Sequence, residues 1–277
     1  MKVCASYSLF GNHIVNGTRQ FYWDHVPALV RAHHNLYPSW WELRIHVDST
    51  YHDDRSKWLR AYEAAGLVKI VHVEENIAVC RSMLWRMLPI WDTESRFDYV
   101  MCRDIDSAPC PRDYKTIQQF FQSGATIHAV NDNYQHTVTM MGGMVGFQVQ
   151  PFLAKCPWPS WLAMINAHEG LELPSGGYDQ ILMSNSIWFH YYPDACVHRF
   201  AGLGSDNELK ACYHDVLPGP ISFPKAINGD RMCAEVDTLM PYLGASSYEI
   251  PRACRIYDTY GDPAVRDRVL AAEATIT

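Results

Sequence analysis

Asp104 and Asp106, in Arg103-Asp104-Ile105-Asp106-Ser107, are the residues of this sequence whose type and spacing best suit chemistry. They follow an apolar run, Asp98 to Arg103, that reads as a strand buried in a sheet. Same-side residues recur every second position on an extended chain, so at a strand end both carboxylates can converge on one cation. Hard oxygen ligands select Mg2+ or Mn2+, which keep coordination positions for phosphate oxygens. When a sugar leaves a nucleoside diphosphate, negative charge grows on the bridging oxygen, and such an ion stabilises it without moving a proton. The chain has 30 acidic residues, so the bare pair also fits a capping or solvated role, and its position at a strand end is what favours chemistry.

The elements that must position this pair alternate strand and helix. Strands are predicted over Lys2 to Tyr7, Leu43 to Asp48, Val68 to Val73 and Asp98 to Arg103. Helices are predicted over Gln20 to His34, Arg55 to Ala65 with Gly66 closing it, and about Ala78 to Trp91. A helix near Asp113 to Gln122, a strand Thr126 to Val130, a glycine-rich strand Met141 to Gln148 and a helix Tyr178 to Ser186 follow. This alternation implies an α/β fold with a mixed, mostly parallel sheet covered by helices on both faces. Such sheets bind ligands at the carboxyl ends of their strands, where Tyr7-Ser8, Asp48, Glu74 to Asn76 and Asp104-x-Asp106 fall. Residues 1–205 form the expected catalytic domain. From about Asp206 the pattern degrades around Pro218, Pro220, Pro224 and Gly229, and residues 206–277 are expected to be a C-terminal extension packed on that domain, toward the acceptor.

The segment Tyr99-Val-Met-Cys-Arg-Asp-Ile-Asp-Ser107 resembles the strand-DxD signature of GT-A glycosyltransferases, nearest in plan to the retaining family 8 enzymes. Three further segments resemble the same plan. Arg86, in Leu84-Trp-Arg-Met-Leu-Pro89, stands where that family carries an Arg that contacts the donor. Met140-Met-Gly-Gly-Met-Val-Gly146 looks like the small-residue strand that closes against the sugar, and Gly177-Tyr-Asp-Gln-Ile-Leu182 like the Asp-Gln-x-x-Leu helix start. The resemblance implies a nucleotide-sugar-binding GT-A fold, Mn2+ or Mg2+, and a UDP-sugar or GDP-sugar donor. It implies metal ligation by Asp104, Asp106 and a late His, which is His198 in Cys196-Val-His-Arg-Phe200 or His214 in Cys212-Tyr-His-Asp215. It also implies a hexosyl- or pentosyltransferase in which Arg86 adds positive charge at the diphosphate while Asp132, Asp179 and Gln180 face the transferred sugar. The wording departs from family 8 at Arg103, where those enzymes carry an apolar or aromatic residue, and in Asn131-Asp-Asn-Tyr-Gln-His136.

Each residue also has a plainer reading. Arg86 can pair with a carboxylate across a helix surface. Gly142 and Gly143 can form a bulge, although glycine also permits close approach of a donor. His136 can be a loop histidine, Asp179 a helix N-cap, and Tyr7 and Ser8 merely the end of the first strand, although that position commonly meets the base in folds of this topology. The Asp-Gln likeness implies a retaining outcome; an inverting enzyme needs a base opposite the leaving group, and Asp132, His136 or Asp179 can serve.

Bulk properties narrow the classes. The net charge of −7 and 48% hydrophobic content describe a globular chain with no basic face for nonspecific nucleic-acid binding, although a modified nucleobase is an admissible acceptor alongside a glycan or lipid-linked sugar. No run approaches the roughly 20 apolar residues of a membrane span, and Met1 to Phe10 is too short and polar for a secretory signal, so a cytoplasmic protein is expected. Nine cysteines without a Cys-x-x-Cys pair fit reduced, mostly buried thiols better than a disulfide framework or a zinc site. Two rivals share parts of the pattern. A haloacid-dehalogenase-like phosphohydrolase uses Asp-x-Asp after its first strand, whereas three strands precede the one that leads into Asp104 here. A non-catalytic nucleotide-sugar-binding module keeps such a fold without turnover.

Overall fold

The computed structural model describes residues 1–10, 22–23, 25–48, 56–73, 82–105, 109, 111–131, 138–168, 178–199 and 263–276. In chain order the strands are β1 (Val3–Leu9), β2 (Glu42–Val47), β3 (Lys69–His72), β4 (Tyr99–Arg103), β5 (Ile127–Asn131), β6 (Met144–Gln148) and β7 (Ala195–Arg199). The α-helices used below are α1 (Val26–Leu36), α2 (Ser56–Ala64), α3 (Pro111–Ser123), α4 (Val149–Lys155), α5 (Trp161–Asn166), α6 (Tyr178–Met183) and α7 (Pro263–Ala274).

All seven strands form one sheet in the order β3-β2-β1-β4-β6-β5-β7. β6 runs antiparallel to β4 and β5, and every other pair is parallel. The expected mixed, mostly parallel sheet is what the chain forms. β1 and β4 are buried throughout, as strands covered on both faces must be. One face packs against α1, α2, α3 and α7 through residues such as Tyr7, Met101, Leu29, Leu59 and Phe120. The other packs against a 3-10 helix, Trp85–Trp91, and α4 to α6 through Val100, Cys102, Trp85, Phe152 and Leu182. Alternation along β4 therefore sends Tyr99, Met101 and Arg103 to the first face and Val100 and Cys102 to the second.

β1 leads to β2 on one side of itself, while the chain returns from β3 to put β4 on its other side. The carboxyl ends of β1 and β4 thus flank a topological switch point, where the diverging connections open a crevice. Tyr7 pairs with Arg103 in this register, so Ser8 and Asp104 emerge side by side.

Three expectations are corrected. The described part of Ala78 to Trp91 holds a 3-10 helix rather than an α-helix; Pro89 inside it lacks an N–H and crowds the preceding turn. The glycine-rich strand starts at Met144, because Gly142 and Gly143 lie in a turn closed by Met144 N–H to the Met141 carbonyl at 2.9 Å. The helix from Tyr178 ends at Met183 and widens into a π-turn over Ser184–Trp188. In the C-terminal extension, α7 packs on α1 and α2, with Val265 and Arg268 beside Glu42, Leu43 and Lys69 at the strands' amino ends. The described part of that extension thus starts at the end of the sheet opposite Asp104. The domain limit at 205/206 lies outside the described residues.

Candidate functional site

The site is assembled at the switch point by three second-face segments. Ser8, the penultimate residue of β1, uses its Oγ to accept the Arg86 backbone N–H at 3.0 Å and to donate to the Met83 carbonyl at 3.4 Å. These bonds satisfy a free N–H at the start of the 3-10 helix and fix its first turn against β1. Arg86 is thereby set with its guanidinium under the end of β4. Its Nη1 pairs with Asp104 Oδ1 and donates to the Arg103 carbonyl at 3.3 Å, and its Nη2 pairs with Asp179 Oδ2.

The two carboxylates differ in setting. The Asp104 side chain is 43% exposed, whereas that of Asp179, in the first turn of α6, is 2% exposed. Burial works to lower the Arg86 pKa, but Asp104 and Asp179 outweigh it, so the guanidinium is held firmly charged. Cys102, beneath it, donates its S–H to the Arg86 carbonyl at 3.3 Å, and burial pushes its thiol up to about 12. It is a structural thiol.

Gly142 and Gly143 close the site, where a larger residue would have to displace the acidic side chains. A Cβ on Gly142 would lie 2.6 Å from Asp179 Cγ and 2.7 Å from Arg86 Nη2, and one on Gly143 would lie 2.6 Å from Asp104 Oδ1. The turn before β6 thus lies directly against both carboxylates. Sequence reading placed these glycines against a ligand; their close neighbours here are the acidic side chains.

Arg103 was visible only as a departure from a motif. It turns to the first face, where its Nη2 pairs with Asp113 Oδ1 at 2.8 Å and its Nη1 donates to the carbonyls of Cys102 and Val145 at 2.8 and 2.9 Å. Tyr37, which caps the C-terminus of α1, donates its hydroxyl to the same Asp113 carboxylate. This buried network ties β4, β6, α1 and α3 together one residue before Asp104. An arginine abutting the acidic pair was the available signal, but its partner could not be read from the sequence.

The expected site residues divide accordingly. Arg86, Asp104, Gly142, Gly143 and Asp179 converge, and Ser8 supports them; Gln180 follows Asp179 in α6 with a half-buried side chain. Asp106, Asp132, His136 and His214 lie outside the described residues. Tyr7 is corrected: its side chain is fully buried under the first face, beside Arg103 and Asp113, and presents no surface to a nucleotide.

His198 is corrected as well. It lies on β7 opposite Val130, with β6 and β5 between its strand and β4. Three strand spacings of ~4.8 Å put it roughly 14 Å from the end of β4. It also faces α3, on the opposite side of the sheet from Arg86. Its ring is fully buried, with Nδ1 at 2.9 Å from His128 Nε2 and Nε2 at 2.9 Å from Gln119 Oε1. It cannot join Asp104 around one ion.

No family model matches the chain, and no curated protein matches it. Among solved structures it is similar to the glycosyltransferase GlyE of Streptococcus pneumoniae TIGR4, with 10% identity and a TM-score of 0.45 over 71% of this chain and 44% of that one. It is also similar to the mannosyltransferase PcManGT from Pyrobaculum calidifontis, in complex with GDP-Man and Mn2+, with 12% identity and a TM-score of 0.43 over 99% of this chain and 74% of that one. The chain spans less than half the length of GlyE, and at these scores neither likeness bears on its activity.

Proposed function

We propose that the chain is a divalent-metal-dependent glycosyltransferase of the GT-A type, moving a sugar from a nucleoside-diphosphate donor to a hydroxyl acceptor. The observation that carries this reading is the half-exposed Asp104 carboxylate at the switch point, held from behind by a buried Arg86 that Asp179 anchors in turn. Asp104 is a hard oxygen donor accessible at a strand end, which fits Mn2+ or Mg2+. In this proposal Asp104 and Asp106 hold the ion, with His214 the remaining histidine of the sequence reading as third ligand. When bound, the ion offsets negative charge on the departing diphosphate.

The chain's own residues have distinct tasks. Arg86 holds Asp104 in one rotamer and adds fixed positive charge within a low-dielectric pocket, where it acts on anionic oxygens more strongly than in water. Gly142 and Gly143 keep the adjacent turn free of side chains. Asp179, too buried to meet the sugar itself, orients Arg86, while Gln180 and Asp132 border the transferred sugar; a retaining outcome is read from the Asp-Gln likeness. UDP-sugars are the favoured donors, with GDP-sugars second. Among the described residues no helix is long and apolar enough to cross a membrane.

A thermal-shift series with UDP, GDP and their sugars, each with and without Mn2+, tests the reading. Stabilisation by a nucleoside diphosphate only when metal is present is expected, together with loss of donor hydrolysis and transfer in folded Asp104→Ala and Asp106→Ala variants. Wild-type turnover in both variants overturns it.

A further inference from the structure

On the first face of the sheet, away from Asp104, β5 and β7 bring three donor side chains together. Cys196 and His198 are two apart on β7 and so share a face, and His128 on β5 is the register partner of Cys196. All three are buried, at 0%, 3% and 0% exposure for His128, Cys196 and His198. His128 Nε2 lies 2.9 Å from His198 Nδ1, Cys196 Sγ lies 4.0 Å from His198 Nδ1, and the three donor atoms fall within 4.8 Å of one another.

The hydrogen bonds define what this cluster does without an ion. Gln119 Oε1 can only accept, so His198 donates from Nε2 and its Nδ1 is the bare nitrogen. His128 must then donate from Nε2 to that nitrogen, which leaves His128 Nδ1 as a buried acceptor without a hydrogen-bond partner among the described residues. An orphan polar atom in a fully buried ring loses its bond to water and gains nothing in return. Shifting the shared proton to His128 Nδ1 bares Nε2, so that His128 Nε2 and His198 Nδ1 can both ligate a cation, with Cys196 Sγ beside them.

We propose that His128, Cys196 and His198 form a buried zinc site, separate from the nucleotide-sugar site, that fastens the edge strand β7 to β5. Zinc bound at ~2.05 Å by nitrogen and ~2.3 Å by sulfur sets tetrahedral edges of about 3.4 Å between nitrogens and 3.6 Å from nitrogen to sulfur. The spacings of 2.9 and 4.0 Å reach those values by shifts of about half an ångström. Two imidazoles and a thiolate suit Zn2+ over the hard ions proposed at Asp104. Binding releases the Cys196 proton and moves the His128 proton from Nε2 to Nδ1, so both imidazoles ligate as neutral rings, and His198 Nε2–H keeps its bond to Gln119, the outer partner that fixes a ligating imidazole. The fourth position is left to a solvent oxygen.

The full chain, stripped by chelator and titrated with Co2+ and then Zn2+, provides the test. One equivalent of Co2+ is expected to give a thiolate-to-metal charge-transfer band that Zn2+ abolishes. The band should persist in Asp104→Asn, disappear in Cys196→Ser and His128→Gln, and require about tenfold more metal in Gln119→Leu. X-ray absorption on the wild-type protein loaded with one Zn2+ should show two nitrogen neighbours and one sulfur, which needs no variant to fold. No cobalt–thiolate band in the wild type, an undiminished band in folded Cys196→Ser from another of the nine cysteines, or a shell without that sulfur overturns the proposal.

Discussion

Arg86 and Asp179 stand 93 positions apart in the chain, and their side chains form a buried ion pair under the end of β4. Neither charge can be removed cheaply, since each leaves the other buried and uncompensated. Asp179→Leu and Arg86→Met are each expected to destabilise the chain by about 3–5 kcal/mol, and the double variant Arg86→Met/Asp179→Leu to recover much of that loss. Urea unfolding of the three variants measures this. Strict additivity of the single losses in the double variant would show that the pair is not coupled.

Gly143→Ala separates function from stability. Its Cβ would meet the Asp104 carboxylate, which is half-exposed and can swing away, so the fold should lose no more than about 1–2 kcal/mol. A ligand displaced by an ångström is expected to cost on the order of 100-fold in donor turnover. Gly142→Ala meets the buried Asp179 and Arg86 instead and should lose stability and activity together. Melting temperature and donor hydrolysis, measured side by side, distinguish the two patterns.

The Arg103–Asp113 pair is fully buried and receives a further bond from Tyr37. Asp113→Asn or Arg103→Met is expected to cost about 3–5 kcal/mol, and each should also loosen Asp104, the next residue in the chain. A loss below about 1 kcal/mol in chemical denaturation would contradict this account.

Acid should weaken the fold well above the carboxylate range. Burial, aided by the charge of Arg44, holds His46 down at about 3 from its ordinary 6.5, and burial with neighbouring His34 lowers His33 likewise. The unfolded chain therefore binds protons that the native chain refuses, and stability rises with pH between about 3 and 6.5 and is flat above. Each such ring contributes a slope on the order of 1 kcal/mol per pH unit in that window. Unfolding free energies at pH 7.5, 6 and 5 test this, and a folded His46→Gln variant should show a shallower slope. An unchanged slope would remove His46 from the account.

Glu273 of α7 accepts from Arg31 Nε at 2.7 Å and from the Tyr62 hydroxyl at 2.8 Å, holding α7 against α1 and α2. Glu273→Ala is expected to lower stability by about 1–3 kcal/mol through the stranded partners and to leave donor turnover unchanged. A selective loss of turnover with normal unfolding would connect this helix to the site.

The strand-helix alternation and the position of Asp104 at the end of a buried strand were legible because they are local. The period of apolar residues marks each element, and Gly66, at φ 66°, ends α2 where glycine is tolerated best. The order of strands and the identity of side-chain partners are not local. The sequence offered Arg86, Asp104, Asp179 and the paired glycines as separate segments, and only the sheet order, with β4 returned beside β1, gathered them around one guanidinium. Histidine 198 shows the reverse, since its position after the Asp-Gln helix suggested a ligand for Asp104. The tertiary structure set it two strands beyond β4's neighbour at the sheet edge and on the opposite face, because alternation along β7 and pairing with β5, not distance in sequence, decide where a side chain on a strand arrives.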